Sequence, residues 1–296
     1  MTYKVILIIV DMFYRLDTEA YKFYLTITHA NGSDSLSIGG RKGECVNISV
    51  NTPESILVQR GHHQLDTATI PILAWDSKCA IDKDLERGTG TILMIRVLLS
   101  ETLKRYPYIK KFTFRDNSLI PCDNGKQISL LHLTIIKYNM SWYESHFHAS
   151  IENPVYSKKY KDGLTILNDK ELKMSFDDFK NKIKAFTTES DLLMLKGYYE
   201  ASSTYSLFFK GILEKEGKKR HCNLVVSWID MFLQYIFQFD PLSVPWVIHS
   251  ESVPIQEVVT TPLANKPANQ IGGRRYTKRN IPKVMRVNIN DTVDTT

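Results

Sequence analysis

Between Arg87 and Asn117 the chain reads RGTGTILMIRVLLSETLKRYPYIKKFTFRDN, and this stretch decides the fold. Gly88 and Gly90 interrupt a strand-rich N-terminal third. After them Ile92, Ile95, Leu99 and Leu103, with Leu98 beside them, fall on one helical face, while Glu101, Lys104 and Arg105 fall mostly elsewhere. Pro107 ends this helix. Ile109 to Phe114 then reads as a strand, stopped by the turn-like Arg115-Asp116-Asn117-Ser118. The order is strands, glycine loop, helix, short turn, strand.

Upstream, Tyr3–Val10 is a β-rich run, and Tyr21–Thr28 alternates with β-branched and aromatic residues. Asn31-Gly32 turns that strand into another near Ser35–Ile38, a hairpin pattern. Cys45–Val50, Ser55–Gln59 and Thr69–Trp75 are further predicted strands. Downstream, Ile128–Tyr138 is an apolar helix or strand. From about residue 151 the periodicity becomes helical. Phe176, Phe179, Ile183 and Phe186 are spaced three and four apart, and Ser175 with Asp178 forms a capping-box pattern. Further helices are predicted over Asp191–Glu216 and Asn223–Phe239, the latter with a Trp228, Phe232, Tyr235, Phe239 stripe that reads as a core face. Prolines recur after Pro241, and residues from about 255 onward read as mostly disordered. The expected division is a domain over 1–150, an α-rich region over 151–250, and a mostly disordered basic tail over 251–296.

Composition narrows the class. With 43% hydrophobic and 24% charged residues the chain is an ordinary globular one, which excludes wholly disordered, collagen-like and coiled-coil proteins. The net charge of +6 is local: seven basic and no acidic residues lie between Lys266 and Arg286, so the remainder is close to neutral. That run predicts non-specific nucleic-acid contact through 266–286 at most, not a nucleic-acid-binding body. Cys45, Cys79, Cys122 and Cys222 read as too few and too scattered for a disulfide framework, so the expectation is small apolar fillers in a reducing compartment. The six-residue apolar run before Asp11 is too short for a membrane span, and a cytoplasmic protein without a membrane partner is expected.

The glycine loop is the sharpest chemical feature. Glycines let backbone approach a phosphate, and the first-turn N–H groups and dipole of the following helix favour an anion. Two glycines also make a plain strand-to-helix turn. The loop, its helix, the strand ending in Asp116-Asn117, and the later Trp142-Tyr143-Glu144-Ser145-His146-Phe147 occur in an order that resembles the GCN5-related N-acetyltransferase (GNAT) superfamily. The resemblance covers roughly 1–150. It implies an α+β fold with a mixed, mostly antiparallel sheet flanked by helices, and acetyl-CoA as co-substrate. Its pyrophosphate would lie on Arg87, Gly88, Thr89, Gly90 and Thr91, with Asn117 as the family's Asn. Tyr143 would protonate the departing thiolate, and the acceptor would be an amine or protein of unknown identity. Read as residues in their own right, Glu144 or His146 could serve as general base, or both could be ordinary strand-surface residues. Leu85 and His146 depart from the family pattern, and the spacing of Asn117 and Tyr143 requires an insertion around Pro121–Gln127. The same resemblance also admits a GNAT-like structural or interaction protein without catalysis.

Other chemistry is weakly signalled. His62-His63 and His146-x-His148 lack metal-ligand spacing, so no metal is expected. Cys122-Asp123 carries no nucleophile signature. The Lys/Asn-rich, aromatic style and the basic Gly272-Gly273-Arg274-Arg275 ending resemble proteins of large cytoplasmic DNA viruses. That likeness implies host cytoplasm or virion as the location and Gly272-Gly273 as a protease site, with a flexible linker as the plain alternative.

Overall fold

A computed structural model describes residues 10–265, apart from 31, 60, 62–63, 74–75, 117, 123–125, 186–187 and 215–217. The expected strand before Val10, the basic run at 266–286 and Gly272-Gly273 lie outside the described residues.

The molecule is α+β. Five strands form a continuous antiparallel meander: β1 (Val10–Asp17), β2 (Lys22–Ala30), β3 (Ser33–Gly40), β4 (Gly43–Asn51) and β5 (Thr67–Leu73). Phe23, Leu25 and Ile27 of β2 alternate inward, with Phe23 opposite Leu16 of β1, Leu25 opposite Ile38 and Ile27 opposite Leu36 of β3, so one face of the meander is apolar. The helix α2 (Thr89–Arg105) lies on that sheet with Met94, Val97 and Leu98 buried. The chain then enters β6 (Lys111–Phe114), which pairs parallel to β5, the single parallel pair among the described strands.

The remaining strands come from far along the chain. After β6 come a small hairpin of β7 (Leu119–Pro121) and β8 (Gln127–Ser129), then α3 (Leu130–Tyr138) and α4 (Trp142–Phe147). A helical layer follows: α5 (Pro154–Asn168), α6 (Phe176–Ile183), α7 (Glu189–Glu200), α8 (Tyr205–Glu214) and α9 (Lys218–Phe237). The strand β9 (Trp246–His249) returns to the sheet antiparallel to β6, and β10 (Val259–Leu263) pairs with β1 at the opposite edge. The final order is β10-β1-β2-β3-β4-β5-β6-β9.

Several expectations change. Ser55–Gln59 is not a strand: the chain must reverse between the antiparallel β4 and β5, and Ile56–Gln59 forms a single helical turn, α1, closed by the Gln59 N–H on the Ser55 carbonyl. The predicted helix over 191–216 is two, because the Ser202 and Thr204 hydroxyls bond local backbone and break the run. Val259–Leu263, within the stretch read as tail, is a sheet strand. Trp246–His249, within the stretch read as α-rich, is another. The Ser175 cap of α6 forms as read, its hydroxyl accepting the Asp178 N–H.

The cysteine reading is overturned. Cys45 of β4 and Cys79 form a disulfide, Cys122 is disulfide-bonded as well, and no described cysteine is free. Thirty-four residues separate Cys45 from Cys79 in sequence, which is why the spacing carried no signal. The bridge fastens the segment before α2 beneath the β3–β4 turn, where the Lys42 N–H also bonds the Lys78 carbonyl.

Candidate functional site

The glycine loop sits where expected, at the α2 N-terminus. Gly88 is the N-cap with φ +88°, a conformation that L side chains rarely adopt, and no side chain caps the helix from that position. The neighbours of the loop are not those of an open phosphate cradle. A Cβ on Gly90 would stand 2.9 Å from the Leu85 Cδ1, and Leu85 is buried, so Gly90 is small because Leu85 packs on it. The Glu86 carboxylate accepts the Thr89 hydroxyl at 2.7 Å, which puts a negative charge beside the helix N-terminus. The Tyr21 hydroxyl accepts the Glu86 N–H at 3.3 Å. Thr91 is buried and its Oγ1 has no hydrogen-bond partner. Arg87 is exposed, and Asn117 lies outside the described residues. An anionic cofactor would meet Glu86 first, so these residues do not fit a coenzyme A pyrophosphate as they stand.

The element Trp142–Phe147 is a helix, and its geometry explains both expected catalytic residues differently. Ser141 caps α4, its hydroxyl accepting the Glu144 N–H at 3.0 Å while Glu144 Oε2 accepts the Ser141 N–H at 2.6 Å. The Tyr160 hydroxyl of α5 donates to the same Oε2 at 2.6 Å. Glu144 is thus a capping and bridging group. Tyr143 is buried, its ring centroid 4.4 Å from that of Phe114, and its hydroxyl donates to Asp116 Oδ1 at 3.4 Å. Burial, then the Asp116 charge, pushes that phenol above its ordinary range, making it a poorer acid. His146 packs edge-on against Trp142, and burial together with Arg96 lowers its proton affinity. The structure does bring α4 to α2, since Arg96 Nη2 donates to the His146 carbonyl at 3.2 Å. Arg96 lies seven residues beyond Thr89, about 10 Å along the helix.

Sequence reasoning missed a second polar centre. Asp116, just after β6, is buried; its Oδ1 accepts the Ser118 N–H at 2.8 Å and its Oδ2 has no partner. Desolvation raises its proton affinity against those hydrogen bonds. His132 of α3, 1% exposed, holds Nδ1 2.7 Å from Asp230 Oδ1 of α9. Its Nε2 stands 4.0 Å from Asp240 Oδ1 and makes no hydrogen bond. The only signal was a lone histidine in the apolar run Leu130–Ile136, which usually means a satisfied core residue. Among the described residues no group of three or more His, Cys, Asp or Glu side chains is arranged to hold a metal. His62-His63 lies outside the described residues. No described helix is long and apolar enough to cross a membrane.

No family model, curated protein or solved structure matches this chain.

Proposed function

We propose that this chain is a non-enzymatic structural or interaction protein whose core shares the GNAT-like order of glycine loop, helix and strand. One observation carries the reading: the two side chains expected to move protons, Tyr143 and Glu144, are spent on internal contacts, one buried on Asp116 and the other capping α4. The Glu86 carboxylate beside the α2 N-terminus supports it, because like charges repel where a pyrophosphate would need attraction. The disulfides fit folding in an oxidising environment better than in cytosol. The basic run 266–286 is the natural non-specific contact for nucleic acid. Calorimetry of the full chain with coenzyme A and acetyl-CoA is the test. No heat of binding at millimolar ligand is expected; saturable binding overturns the reading.

A second reading, an acetyl-CoA-dependent N-acetyltransferase of an unidentified amine, is favoured by the β5–α2–β6 crossover. There the glycine loop follows the first strand of the single parallel pair, as the resemblance requires. It needs Glu86 to leave the loop, so Glu86→Gln should then raise coenzyme A affinity.

A further inference from the structure

We propose that Asp116, His132, Asp230 and Asp240 form a proton-operated clamp between the sheet and the helical layer, closed when His132 is protonated on both ring nitrogens and released when it holds one proton. The cluster joins four separate parts of the fold. Asp116 follows the sheet strand β6, His132 lies in the first turn of α3, Asp230 is on α9, and Asp240 sits in the turn between α9 and the sheet strand β9. Asp230 and His132 are 98 residues apart, so their 2.7 Å contact ties tertiary structure.

The groups that face the ring are acidic. Asp230 takes Nδ1, Asp240 stands 4.0 Å from Nε2, and Asp116 acts electrostatically on the ring from the sheet side. The α4 side contributes Tyr143, which bonds to Asp116 and not to the ring. The β8 side contributes the Ser129 hydroxyl, which accepts the His132 backbone N–H, and α8 contributes the Ser206 hydroxyl, which bonds the Ile136 carbonyl. Among the described residues no cation is one of these partners. An imidazolium would offset the two flanking carboxylates, with Nδ1 donating to Asp230 at 2.7 Å and Nε2 facing Asp240 at 4.0 Å, beyond hydrogen-bond length in this structure.

Loss of a proton changes the Asp230 contact and the charge that Asp240 faces. One ring nitrogen becomes a lone pair. If Nδ1–H stays on Asp230, Nε2 faces Asp240 without a proton, and two carboxylates face each other across a neutral ring. Asp240 is also the anchor of its own turn, its Oδ1 accepting the Leu242 N–H at 3.0 Å. Movement of Asp240 therefore shifts the entry to β9, which in turn holds Ser150 through reciprocal backbone bonds with Val247. The unpartnered buried Nε2 and Asp116 Oδ2 mark a polar centre whose contacts are incomplete.

The experiment follows the full chain by long-range nitrogen–proton NMR of the imidazoles and by amide hydrogen exchange as pH is raised through the His132 titration. Exchange of the Trp246–His249 amides should rise about tenfold or more in step with loss of the second ring proton. In His132→Gln the rise should vanish. Flat exchange across the ring's own titration, or the same rise in the glutamine variant, overturns the clamp. If that variant does not fold, Asp240→Asn replaces it. Without the carboxylate, exchange should be the same on both sides of the titration, and an undiminished change overturns the proposal.

Discussion

The strand meander and the helical layer are held by different physics. In β1–β5 every pairing joins sequence neighbours, so from β1 to β4 the register follows from short turns, while a longer connection carrying α1 leads to β5, and the Cys45–Cys79 bridge is added at one end. In α5–α9 aromatic rings do the work. Trp228 stacks on Phe179 at 5.4 Å and 17°, and Tyr205, Phe208, Phe209 and Phe232 close around Phe179. A local register survives loss of one contact, whereas a ring cluster shares each contact among many partners. The helical layer should therefore be the more sensitive to a single truncation.

Trp228→Ala tests that most severely. Its ring is 1% exposed, and deletion should cost about 3–5 kcal/mol in denaturant unfolding. A cost under about 1 kcal/mol would mean that the layer collapses around the gap and the contrast is false. In the sheet, replacing Cys45 and Cys79 together by Ser should cost about 2–4 kcal/mol, measured against the disulfide-bonded wild-type chain. Equal stability of the two would show that the hairpin register alone holds that end.

Smaller effects separate the two polar centres. Gly90→Val should cost about 1–3 kcal/mol because the new side chain meets Leu85. An unchanged midpoint with lost coenzyme A binding would instead make the glycine a ligand cradle.

For Asp116→Asn the sign comes from burial. Desolvation raises the folded carboxyl above its ordinary 3.8, so the folded chain holds a proton that the unfolded chain releases. That contribution to stability is complete at acid pH and is lost as pH rises through the raised value. Asparagine keeps an acceptor for Ser118 and Tyr143 without charge, so the variant should gain on wild type as pH rises from below 3.8 to neutral. A growing deficit over that range would show that the charged form is the one the fold uses. The smallest effect is Glu86→Gln, at about 0.3–1 kcal/mol from the lost helix-end charge.

The core face predicted on α9 is narrower than its stripe. Trp228 and Phe232 are buried, but Tyr235 is 41% exposed and accepts Lys182 Nζ at 3.1 Å, while Phe239 lies beyond the helix. A four-three-four spacing selects one side of a helix but not how far the neighbouring helices reach around it. Here α6 stops short of Tyr235 with its lysine side.

What the sequence determined alone is what depends on neighbours in the chain. The β2–β3 hairpin, the alternation of β2, the run of α2 from the glycines to just before Pro107, and the Ser175 cap all follow from backbone preference and apolar period. Tertiary structure decided whatever needs partners far apart. It set the pairing of β9 with β6 and β10 with β1, the Cys45–Cys79 bridge, and the meeting of His132 with Asp230. It also gave Tyr143 and Glu144 their roles: a residue type and spacing name a capable group, and only the atoms packed around it decide whether that group faces solvent, a helix cap or a buried carboxylate. The physical reason is range. Turn and helix preferences act over a few residues, while burial and long-range pairing are set by the whole packed chain, which no local pattern records.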